Sequence, residues 1–135
     1  NYRRFFDINS LAGVRVEDDK VFEATHSLVF RLVRADRVHG LRIDHVDGLA
    51  EPARYLERLR DRLGDDFYIV VEKILEPDER LPNWPIAGTT GYEAMAALDG
   101  VFISQAAEDC FTQLYEEAAG PQADFQLQMR RTKLE

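Results

Sequence analysis

A chain of 135 residues, 45% apolar and 31% charged, suits one globular domain and is too apolar for a disordered tail. Its 17 Lys and Arg against 25 Asp and Glu leave a net charge of −8, which disfavours nucleic acid and anionic lipid surfaces and fits a neutral or cationic substrate. No apolar run approaches the roughly 20 residues of a membrane span, and the opening residues lack the apolar core of a signal peptide, so a cytoplasmic protein is expected. The chain starts at Asn1 rather than Met, and an internal segment of a longer protein is expected.

Arg3 and Arg4, among Tyr2, Phe5 and Phe6, form either an anion patch or packing at the start of a helix or loop; the acidic balance argues against nucleic acid. From Glu17 to about Arg34, Val21, Phe22, Leu28, Val29, Leu32 and Val33 recur at spacings of three and four, which predicts an amphipathic helix. Leu41, Ile43 and Val46, bounded by Gly40 and Gly48, predict a strand. Pro52 suits a first helical turn, and Tyr55, Leu56, Leu59 and Leu63 form a stripe that Gly64 ends. Phe67 to Val71 predicts a second strand, parallel to the first and covered on both faces, so the unit is βαβ.

After Glu72, three prolines and two glycines predict a loop of about twenty residues, long enough to build a site. Ile103, Ala106, Ala107, Cys110, Phe111, Leu114 and Tyr115 then follow helical spacing to Gly120 and Pro121, which makes the single cysteine, Cys110, a small core residue. A further helix is expected from about Asp124. The fold class is therefore α/β, a piece of a (β/α) barrel in residues 1–76 with a loop and helical insertion in 77–135. Two parallel strands do not make a sheet alone, and their edges invite pairing between chains as a dimer or domain swap.

Each strand ends in a carboxylate, Asp44 and Glu72, and parallel strands bring their C-terminal ends to one edge of the sheet. Paired carboxyl groups serve glycosidic-bond chemistry, one attacking the anomeric carbon and the other exchanging a proton with the leaving oxygen. Arg42 shares a strand face with Asp44 and would keep it ionised as a nucleophile; burial of Glu72 would raise its pKa and suit it as general acid. The competing structural readings are a buried Arg42–Asp44 ion pair and a helix-capping Glu72. His39, His45 and Asp47 suggest a metal cluster, but neighbouring strand positions point to opposite faces and no metal is expected. Trp84 serves equally well as a sugar-stacking surface or as a loop anchor.

Gly40-Leu-Arg42-Ile-Asp44-His45 resembles the G-x-R-x-D motif ending the fourth barrel strand of the α-amylase superfamily, and Glu72 matches the acid/base position ending the fifth. More narrowly, Asn1-Tyr-Arg-Arg-Phe-Phe-Asp-Ile, Val21-Phe-Glu-Ala-Thr-His, Arg42-Ile-Asp-His-Val-Asp-Gly-Leu49, Val71-Glu-Lys-Ile-Leu and Gly88-Thr-Thr-Gly-Tyr92 together resemble the maltooligosyl trehalose synthase family. That resemblance implies a fragment of a (β/α)8 TIM barrel around strands 4 and 5, with a mainly helical C-terminal insertion. It implies an isomerase acting on maltooligosaccharide, turning the reducing-end α-1,4 linkage into α,α-1,1 with Asp44 as nucleophile, Glu72 as general acid/base and Arg42 as charge partner. His45, Asp47, Lys73, Trp84 and Tyr92 would contact the substrate, with no cofactor.

The stretch from Trp84 to Tyr92 is expected to close over the site and exclude water. The superfamily's third carboxylate has no matching motif after Tyr92, so the chain alone is expected to be inactive. An amylase-like hydrolase and a noncatalytic helical interaction module are the alternatives.

Overall fold

The computed structural model describes residues 4–5, 8–119, 129–130 and 132–133. By its internal contacts the chain divides into two compact units, Asn1–Met95 and Ala96–Glu135. The first opens on β1 (Arg4–Phe5), antiparallel to β2 (Ile8–Ala12) with an irregular register. Arg4 thus lies in a strand pair, and Arg3 lies outside the described residues.

Helix α1 (Asp19–Arg34) starts where Asp18 Oδ1 accepts the Lys20 and Val21 N–H groups, at 2.8 and 3.4 Å. Asp19 in its first turn and Arg31 and Arg34 in its last complement the helix dipole. Helix α2 (Pro52–Leu63) begins on proline and stops at Gly64, whose φ of +90° disfavours any residue with a Cβ. Arg60 completes that end: its guanidinium donates to the carbonyls of Gly64, Asp65, Phe67 and Pro85, tying the helix to the segment after the next strand.

Strands β3 (Gly40–Ile43) and β4 (Tyr68–Val71) flank α2 and pair in parallel, the expected βαβ unit. A third parallel strand, β5 (Gly88–Thr89), joins β4 from inside the stretch expected to be loop, where the Ala87 and Thr90 N–H groups donate to the Ile69 and Val71 carbonyls. One face of this sheet is covered. Phe22 and Phe30 of α1, Leu56 and Leu59 of α2, and Ile69 and Val71 of β4 form the core with Val46. The expectation of strands covered on both faces fails, because Arg42 and Tyr68 point to the opposite side and are exposed among the described residues.

Beyond Gly91 comes a helix the sequence reading did not assign, α3 (Tyr92–Val101), and the helix expected from Ile103 begins only at Glu108, as α4 (Glu108–Ala119), after a 3-10 turn at Gln105–Ala107. Cys110 is exposed rather than a core residue, and the apolar side chains that share its spacing, Phe111, Leu114 and Tyr115, are exposed with it. Helical spacing shows which residues share a stripe, not whether the stripe is buried. Most of the helix expected from Asp124 lies outside the described residues. Among those residues, no helix is long and apolar enough to cross a membrane.

Candidate active site

In the β3–β4 register Ile43 lies opposite Val71, so the next pair is Asp44 and Glu72. The Glu72 N–H donates to the Ile43 carbonyl at 2.8 Å and carries the ladder to that point. Both side chains turn to the open face with Arg42, as the period of two requires. Arg42 Nη2 lies 2.8 Å from Asp44 Oδ1 and 3.0 Å from Glu72 Oε1, so one nitrogen bridges the two carboxyl groups.

The strand expected to reach Val46 ends at Ile43, because His45 adopts a left-handed backbone (φ 51°, ψ 45°). That conformation is uncommon for a residue with a side chain, and it aims the His45 N–H at Glu72 Oε2, 3.0 Å away. A 3-10 turn, Val46–Gly48, follows and drops Val46 into the core. A Cβ on Gly48 would run into the His45 ring, so a larger residue there would force that ring to move.

Glu72 departs from its expected chemistry. The His45 N–H foremost, with the Arg42 guanidinium beside it, holds its carboxyl below the usual range, outweighing the burial expected to raise it.

The remaining candidate residues separate by place. Lys73 is 8% exposed, with its Nζ 2.7 Å from Glu79 Oε1 and 3.2 Å from Asp47 Oδ2. Those carboxylates, the hydrogen bond to Glu79 foremost, raise the Lys73 pKa against the opposing effect of burial, and the ammonium pulls Glu79 down in turn. Tyr92 shares with Arg42 an open cavity of about 620 Å³ on the uncovered sheet face, also lined by Tyr68, Val70, Thr90 and Met95. Thr90 Oγ1, a cavity-lining group, is buried with no hydrogen-bond partner among the described residues. Trp84 is partly buried against the core, and Gly88 and Thr89 are paired in the sheet.

His39 lies apart, paired with Asp36 at 3.1 Å. Among the described residues, no three His, Cys, Asp or Glu side chains are grouped to hold a metal. Sequence reasoning missed Glu79 and Thr90. Glu79 reads as one more charge in a polar loop, and only the Val71-Glu-Lys-Ile-Leu and Gly88-Thr-Thr-Gly-Tyr92 motifs hinted at their neighbourhoods.

No protein-family model matches the chain. A Mycobacterium tuberculosis protein provisionally named a maltooligosyl trehalose synthase is 48% identical over 118 residues, 87% of this chain and 15% of that protein. The structure of maltooligosyltrehalose synthase from Arthrobacter ramosus superposes with a TM-score of 0.83 at 51% identity, over 93% of this chain and 16% of the other. A hypothetical maltooligosyl trehalose synthase from Sulfolobus tokodaii gives 0.78 at 41% identity, over 91% and 16%. The chain spans only that small share of the relatives it matches. In sequence and in fold, it corresponds to a segment of the maltooligosyl trehalose synthase family.

Proposed function

We propose that this chain supplies the nucleophile and the acid/base of an enzyme that isomerises the reducing-end α-1,4 linkage of a maltooligosaccharide to α,α-1,1. In this reading β3 and β4 are strands 4 and 5 of a (β/α)8 barrel, and the rest of the barrel and a third carboxylate come from a longer protein. The observation that carries it is the meeting of Asp44 and Glu72 on one Arg42 nitrogen. Their nearest oxygens lie no further apart than the sum of those two contacts. That supports the about 5–5.5 Å of a double displacement over the roughly 6.5–9.5 Å that admits water for inversion.

Asp44 attacks the anomeric carbon of the penultimate glucose as Glu72 gives its proton to the departing O4. A glycosyl ester on Asp44 and a free glucose result. The glucose turns, Glu72 takes the proton from its anomeric hydroxyl, and that oxygen displaces Asp44 to form the α,α-1,1 bond. No water is consumed and both carboxyl groups return to their starting state. Glu72 is held ionised in the free chain, so the bound sugar must exclude water and weaken the Arg42 or His45 contact before Glu72 acts as an acid.

The test is Asp44→Asn in the full-length protein carrying this chain. The proposal expects a loss of about three orders of magnitude or more in kcat with the fold intact. A variant that retains activity would make Asp44 structural.

A further inference from the structure

We infer that Lys73 is a positioning residue: its buried ammonium ties the turn after β3 to the segment after β4, and so holds the His45 N–H on Glu72. An ammonium taken out of water is costly unless it is paired, and Lys73 meets two carboxylates from different segments. Asp47 belongs to the Val46–Gly48 turn that begins directly after His45. Glu79 lies in a turn closed by its own N–H to the Glu76 carbonyl at 2.9 Å, and its Oε2 accepts the Glu76 N–H at 3.2 Å.

Neighbouring residues at a strand end point to opposite sides, so Glu72 faces the open side while Lys73 works from behind. The connection runs from Glu79 through Lys73 to Asp47, along the turn to the left-handed His45, and from its N–H to Glu72. The main chain at His45 sits in an uncommon conformation and needs such outside support. A lysine serving as a sugar ligand would present its donors to the open face; the Lys73 ammonium is buried and occupied.

The catalytic half of this inference rests on the function proposed above, and the test separates the two. In the full-length protein, Lys73→Met is expected to lower kcat for maltooligosaccharide isomerisation about a hundredfold with KM within about twofold, and Lys73→Arg to recover most of the loss. In the 135-residue chain, the Glu72 carboxyl, followed by carbon-13 NMR, is expected to titrate higher in Lys73→Met than in wild type, since it loses its N–H partner. Glu79→Gln keeps the Asp47 pair and is expected to move the titration the same way by less; it stands in if Lys73→Met does not fold.

An unmoved Glu72 titration in the folded variants would overturn the inference. So would a raised KM at unchanged kcat, which marks a direct sugar contact. If the wild-type full-length protein does not isomerise the substrate, the proposed function fails and the titration alone judges Lys73.

Discussion

Glu72 has one oxygen on the Arg42 guanidinium and the other on the His45 N–H, and both contacts favour its ionised form. A carboxyl whose folded pKa is depressed contributes stability above its unfolded pKa and loses it as pH falls through the folded value. In the 135-residue chain, Glu72→Gln is therefore expected to flatten the stability profile as pH falls below the ordinary glutamate value, followed by urea denaturation. A variant profile parallel to wild type would contradict the assigned contacts. A second residue-scale case is His26, which burial keeps towards the neutral form although the Phe22 carbonyl at 2.9 Å from Nδ1 opposes this. With Nδ1–H donating there, Nε2 accepts from the Tyr55 hydroxyl at 2.7 Å. Burial pushes the Tyr55 pKa up to about 12, so that hydroxyl stays a donor. Tyr55→Phe should leave Nε2 without its donor and cost about 1–2 kcal/mol in chemical denaturation; an unchanged midpoint would contradict that tautomer.

Elements that carry their own signals were legible. Spacing, Pro52 and Gly64 marked α1 and α2, and the two apolar runs between glycines and charges marked β3 and β4 within a few residues; the Asp18 cap of α1 was not singled out. The Asp44–Glu72–Arg42 group was legible too, because it follows from strand ends and a period of two. What was not legible depends on partners distant in sequence. Gly88–Thr89 is too short to signal a strand and becomes one only by pairing with β4. The end of β3 is set by the backbone of His45, and the depressed Glu72 pKa by an N–H that no pattern places. Arg60 is another such case, since its four carbonyl acceptors span Gly64 to Pro85. Arg60→Ala is expected to destabilise the chain by about 2–3 kcal/mol in thermal or urea unfolding. Arg60→Lys should recover little of this, since an ammonium lacks the planar fork.

At the scale of the molecule, the proposed barrel reading accounts for the uncovered sheet face and for the exposed Val101, Phe102 and Phe111. Exposed apolar surface of this kind marks a face meant to be covered, which the barrel reading assigns to the rest of the proposed enzyme. The 135 residues alone are expected to show no turnover of maltooligosaccharide and to self-associate with rising concentration in sedimentation velocity; a monomeric, active chain would contradict both. The central claim, retaining transfer by Asp44 and Glu72 without water, is tested most directly by incubating the full-length protein with one purified maltooligosaccharide and following reducing ends and product mass together. Loss of reducing ends at unchanged mass is the expected result. New reducing ends on shorter chains would contradict the account and make the pair the carboxylates of a hydrolase.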